Sequence, residues 1–211
     1  LWYYRKELTQ MANAWLRSLS GGPVTADSRL VWYLGLATIP AGLVGLVAGN
    51  FIENNLRTLP VLATTTLVFG IFLGVAQRYG AAPGKGRALT LQLALLIGLA
   101  QAIAPVPGVS RSGVTITAAL LLGMDRQGAA RFSFLLSIPI IGSAGALKFW
   151  QLLEAKLPVD WGSLALGTLV AGITAYLCIA LFLRLLDRIG LMPFVYYRVA
   201  LAAVLYLLWL Y

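Results

Sequence analysis

The sequence predicts an all-α, polytopic transmembrane bundle with a re-entrant helix-loop-helix. Three observations predict it. Hydrophobic residues make up 60% of the 211 positions and charged residues only 11%, where a soluble domain averages roughly 25% charged. Apolar runs of the length a spanning helix needs, about 20 residues, recur along the chain. One such run is broken by prolines and followed by an arginine and three hydroxyls.

Residues 5–19 have amphipathic spacing (Leu8, Met11, Ala12, Trp15, Leu16, Leu19) within a polar stretch, 5–29, that predicts a surface segment. Gly21-Gly22-Pro23 ends its helix. Spans are expected near 30–49, 59–77, 88–104, 132–150, 163–184 and 193–211. Trp32, Tyr33, Trp150, Trp161, Tyr197, Trp209 and Tyr211 stand near run ends, as interface anchors do. Segment 105–123 is the exception. Pro105-Val106-Pro107-Gly108 cannot continue a helix. The stretch that follows, 111–123, reaches about 20 Å at ~1.5 Å per residue, short of the ~30 Å hydrocarbon core. A re-entrant segment is therefore expected at 105–123. One integral membrane domain, 1–211, accounts for the chain.

Charge fixes an expected topology. The formal charge is +9, carried mainly between apolar runs, which suits lipid headgroups rather than nucleic acid. Loops 1–29, 78–87 and 148–162 carry Arg5, Lys6, Arg17, Arg29, Arg78, Lys85, Arg87, Lys148 and Lys156. Loops 50–58, 124–131 and 184–192 carry Arg57, Arg126, Arg131, Arg184 and Arg188. The first set is expected on the cytoplasmic side, with the re-entrant mouth on the outer side. Cys178 is the lone cysteine and reads as a packing residue. The chain has no histidine, which excludes an imidazole base or ligand of its own. Leu1-Trp2-Tyr3-Tyr4 reads like the tail of a helix begun earlier, so a longer parent protein is expected.

Chemistry concentrates in Pro107-Gly108-Val109-Ser110-Arg111-Ser112-Gly113-Val114-Thr115. An arginine at membrane depth costs about 2.5–3.5 kcal/mol on insertion scales and demands an anion. A helix beginning at Arg111 offers unpaired amides and a partial positive charge to a phosphate. Gly108 and Gly113 allow close backbone approach. Arg111 adds charge-assisted hydrogen bonds, and Ser110, Ser112 and Thr115 add hydroxyls. Pro107 and Gln101 are expected to line the pocket. For Gln101 a helix–helix hydrogen bond competes with that role, and for the hydroxyls so does packing. Arg198 is placed to reach headgroups or a carbonyl. Ser110 lacks a visible base, so water and serine stay open as nucleophile.

The same nine residues resemble the PGxSRSxxT signature of bacterial undecaprenyl-diphosphate phosphatases, the BacA/UppP family. Ala130-Arg131-Phe132-Ser133-Phe134-Leu135-Leu136-Ser137-Ile138-Pro139, Pro193-Phe194 and Tyr197-Arg198 are similar to further family segments. The resemblance implies a hydrolase in the bacterial inner membrane. It converts undecaprenyl diphosphate to undecaprenyl phosphate and inorganic phosphate, recycling the carrier for peptidoglycan and conferring bacitracin resistance. It also implies an inverted-repeat fold, of which this chain is one half, a divalent cation (Mg or Ca), and phosphate handling by Ser110, Arg111, Ser112 and Thr115. A homodimer is a further expectation. The family's acidic E/QxxxE motif and its Pro-Val-Ser-Ser-Thr-Gly-His stretch have no match here, so no metal ligand is expected from this chain. Gln101 stands where the first copy of the pattern has an acid. Two other readings stay open: a prenyl-phosphate flippase or transporter, and an inactive fragment that only binds.

Overall fold

The computed structural model describes residues 2–82, 84–154 and 159–211. Among them the chain forms eight helices: α1 Arg5–Leu19, α2 Ala26–Asn55, α3 Leu59–Tyr79, α4 Leu91–Gln101, α5 Arg111–Leu121, α6 Arg126–Glu154, α7 Trp161–Ile189 and α8 Met192–Leu210. Local chemistry sets their starts. Thr25 and Ser28 form a capping box on α2. Thr90 caps α4, Asp160 caps α7, and Pro60 and Pro193 occupy the first turns of α3 and α8. Residues 2–4 form a turn into α1 rather than the tail of a helix.

Helices α2, α3, α6, α7 and α8 are long and apolar enough to cross a membrane. The run expected to span at 88–104 does not: its helix, α4, has eleven residues. At ~1.5 Å per residue it reaches only about 17 Å. Hydropathy stays high through Ala102, Ile103 and Ala104, but the approaching Pro105 stops the helix. Eleven-residue α5 returns beside it. The broken element is therefore the whole hairpin 91–121, not 105–123 alone.

That correction moves the loops. The Ala81 amide donates to the Met124 carbonyl (3.2 Å) and the Arg87 amide to the Gly123 carbonyl (2.9 Å). Gln77 accepts from the Leu191 amide, and Gln127 donates to Asp187 at 3.0 Å. Segments 78–87, 124–131 and 184–192 thus share one end of the bundle, where two of them had been expected opposite the first. The physical reason is that a hairpin returns the chain to its own side, whereas a full span at 88–104 would have crossed. Helix α1 belongs to the same end. Its Glu7 accepts from Arg131 Nε at 2.8 Å, Met11 is buried, and burial beside Tyr3 and Glu7 pushes the Tyr4 phenol up to about 12. Arg5, Lys6, Arg17, Arg29, Arg78, Lys85, Arg87, Arg126, Arg131, Arg184 and Arg188 gather there, against Arg57 and Lys148 toward the other end. The bias is steeper than the sequence suggested. Lys156 lies outside the described residues.

The core sits where the hairpin is gripped. Gly98 lets α4 cross α2 so closely that a Cβ there would overlap the Ala37 backbone. Ala37, Ala94, Ile97, Ala119, Leu120 and Leu135 are fully buried around this crossing. Helix α8 closes on α3 across Gly70 and Gly74, which face Arg198 and Val195.

Candidate active site

The hairpin tip, 102–110, holds the motif. Gly108 has φ +87° and its α-carbon faces Thr65, Thr66 and the Leu62 carbonyl, with no room for a side chain. Thr65 Oγ1 donates to the Pro107 carbonyl. Arg198 closes the tip from α8: Nε donates to the Thr66 carbonyl at 3.2 Å, and Nη2 to the carbonyls of Gly108 (2.6 Å) and Val109 (3.2 Å). A guanidinium has no acceptor and five donors in a fixed fork. Here it ties two chain segments together through their backbones.

Ser110 follows with φ +65°, ψ 109°, the one non-glycine residue with positive φ among the described residues. Such a backbone costs on the order of 1–3 kcal/mol and persists only when its surroundings impose it. Its Oγ accepts from the Gly113 amide at 3.2 Å and so caps α5. The amides of Arg111 and Ser112 then have no intrahelical carbonyl to bond and carry the helix's positive end.

From this cap the motif residues diverge. Arg111 turns into a cavity of about 400 Å³ between α2 and α6, lined also by Gln101, Ala104 and Pro105. Its Nη1 is buried without a hydrogen-bond partner. Ser110, Ser112 and Gly113 face a smaller cavity of about 180 Å³ on the α8 side, with Tyr197 and Arg198. Pro107, Gly108 and Ser110 line an open mouth beside Arg57 and Thr58. Thr115 is 1% exposed. Its hydroxyl bonds Ser133 of α6 at 2.6 Å and the carbonyls of Arg111 and Ser112. Convergence of Ser110, Arg111, Ser112 and Thr115 on one phosphoryl group is therefore not what the geometry gives. Consecutive residues of a helix point about 100° apart, 3.6 to the turn. Thr115 instead joins α5 to α6.

Gln101 is fully buried, and neither atom of its amide has a partner. The helix–helix hydrogen bond expected of it is absent, because the α2 face across the cavity carries Ala41, Gly42 and Gly45. Among the described residues no group of three or more His, Cys, Asp or Glu is placed to hold a metal ion, and no carboxylate lines the Arg111 cavity. The donor set does not fit a divalent cation.

Sequence reasoning missed Thr65, whereas for Arg198 the structure realises one of the two partners expected of it, backbone carbonyls. The signal for Arg198 was present, since a charge within an apolar run asks for a partner; the one for Thr65 was a three-threonine run inside a span.

Together these features define a multi-pass membrane protein with a cationic, counter-ion-free pocket at a broken helix. The chain belongs to the family described as bacitracin resistance protein BacA, whose model matches residues 1–204. It is 48% identical to the undecaprenyl-diphosphatase of Teredinibacter turnerae over 97% of this chain and 78% of that protein. It is 50% identical to the undecaprenyl-diphosphatase of Chromohalobacter salexigens, over 98% and 77%. To undecaprenyl-diphosphatase 2 of Stutzerimonas stutzeri it is 49% identical, over 99% and 78%.

Proposed function

We propose that the chain hydrolyses undecaprenyl diphosphate to undecaprenyl phosphate and inorganic phosphate, recycling the lipid carrier of peptidoglycan synthesis. The observation that carries this reading is Arg111, a permanent cation with a buried, unpaired Nη1 beside a cavity whose other walls are mostly apolar. A prenyl diphosphate matches both: an anion for the guanidinium and the α5 amides, and a hydrocarbon tail for the groove between α2 and α6. Donors fixed around a transferring phosphoryl group stabilise its charge without reorganising. Ser110, Ser112 and Gly113 line the separate cavity on the α8 side and Gly108 packs against α3, so the proposed headgroup contacts rest on Arg111 and the α5 amides.

Orientation is part of the proposal. The base-rich end, with α1 and the loops around 80–90 and 122–126, faces the cytoplasm of a bacterial inner membrane. The hairpin tip beside Arg57 then opens toward the periplasm. A homodimer in that membrane is a further part of the proposal.

Phosphate release from undecaprenyl diphosphate by the purified chain tests the reading. Arg111→Ala is expected to lower the rate by about 100-fold or more, the scale of losing one charge-stabilising donor set. A variant with wild-type activity removes Arg111 from the site. Transfer of the lipid across vesicles without phosphate release favours a flippase instead.

A further inference from the structure

The Gln101 side chain is the feature that the mechanism above leaves unused. It sits on the last turn of α4, 0% exposed, with both Oε1 and Nε2 unpaired. It shares its cavity with Arg111, whose Nη1 is unpaired too. The third polar side chain there, Ser143, already spends its hydroxyl on the Ile140 carbonyl at 3.1 Å. Leaving a buried donor or acceptor unsatisfied costs about 1–3 kcal/mol each. An apolar residue of the same volume avoids that cost, so an amide kept at this depth is explained by a ligand that supplies the missing partners.

The cavity restricts what that ligand is. Arg111 offers only donors. Gln101 offers two donors and one acceptor through a neutral group. No carboxylate competes for them. The facing positions of α2, Gly42 and Gly45, leave open space where side chains would stand.

We propose that Gln101 contacts the diphosphate headgroup directly: Nε2 donates to a phosphoryl oxygen beside Arg111, and Oε1 accepts from a hydroxyl or water on the same group. This rests on the reading of the site as a prenyl-diphosphate site. A neutral amide adds a donor without adding a second cation that would hold the product phosphate as tightly as the substrate.

The test separates contact from packing. The purified chain is titrated with a non-hydrolysable prenyl methylenediphosphonate, and its thermal midpoint in detergent is measured without ligand. Gln101→Met is expected to bind the analogue about tenfold or more weakly, the scale of losing one charge-assisted hydrogen bond. Its ligand-free midpoint is unchanged or raised, since an unpaired polar group has been replaced by an apolar one. Gln101→Glu keeps the shape and binds more weakly still, because a carboxylate then faces the phosphates. Wild-type affinity in Gln101→Met overturns the contact, and so does a lowered ligand-free midpoint with affinity intact. No binding of the analogue by the wild-type chain overturns it as well. If the wild-type chain binds the analogue, and Gln101→Met does not, but undecaprenyl diphosphate is never hydrolysed, the contact stands and the hydrolytic reading fails.

Discussion

The α4–α5 hairpin and the α6–α7 arm are built from similar apolar residues and meet opposite surroundings. Ala94, Ile97, Ala119 and Leu120 of the hairpin are 0% exposed, enclosed by α2, α3 and α6. From Ile141 along α6, and from Trp161 to Cys178 in α7, almost every described residue is exposed, Leu166 and Leu169 by more than 60%. In water such an arm would be an aggregation surface. In a bilayer it is at home, since lipid tails are as apolar as leucine and give no drive to bury it. The polar groups follow the opposite rule. Arg111, Gln101, Ser110 and Arg198 stand on or against the hairpin, where protein encloses the irregular backbone that hydrocarbon would not tolerate.

The largest expected effect breaks or confirms that contrast with one substitution made twice. Leu120→Ala empties a fully buried position and is expected to destabilise the chain by about 2–5 kcal/mol, the usual cost of a core leucine deletion. Leu169→Ala, at a position 61% exposed, is expected to change stability by less than about 0.5 kcal/mol. Thermal denaturation of both variants in one detergent reads the difference. Equal losses would mean that α7 is packed against something and that its exposure is not a lipid face.

Next comes the clasp on the hairpin tip. Arg198 makes three hydrogen bonds to carbonyls of α3 and of the tip, and bonds to a charged donor contribute about 1.5–3 kcal/mol each when lost from a buried site. Arg198→Met is expected to lower the melting midpoint and phosphate release together, because the strained Ser110 backbone loses the grip that imposes it. Arg198→Lys is expected to restore little, as one ammonium cannot reproduce a planar fork. Full activity in Arg198→Lys would show that charge alone, and not the fork, is what the tip requires.

Much of this contrast was legible in the sequence. Five of the six expected spans correspond to long apolar helices, and Pro105 to Gly108 marked the break. What hydropathy could not separate was a half-helix from a span: Leu91–Gln101 is as apolar as its neighbours, and only the paired end contacts of Ala81 with Met124 and of Arg87 with Gly123 show that the chain turns back. The topology assigned from charge inherited that error. The candidate site was legible as composition and less so as direction. Arg111 and Gln101 share a cavity as their neighbourhood in sequence suggested, but Ser112 and Thr115 turn elsewhere, because side-chain direction on a short helix depends on which face its neighbours cover.

Thr115 gives the smallest and most discriminating expectation. Its hydroxyl is buried against Ser133 Oγ at 2.6 Å and also bonds back to the Arg111 and Ser112 carbonyls. If the residue handled phosphate, Thr115→Ser would keep function and Thr115→Val would abolish turnover with little change in stability. The packing geometry expects a different split. Thr115→Val keeps the shape and leaves Ser133 short of a partner, at a cost of about 1–3 kcal/mol for the unsatisfied group. Pairing it with Ser133→Ala removes both polar partners, so the double variant recovers stability relative to Thr115→Val, the signature of two groups that interact. Thermal midpoints of the two single variants and the double variant decide it. Additive losses, with turnover falling in Thr115→Val alone, would return Thr115 to the phosphate site and restore the convergent arrangement that the motif suggests on paper.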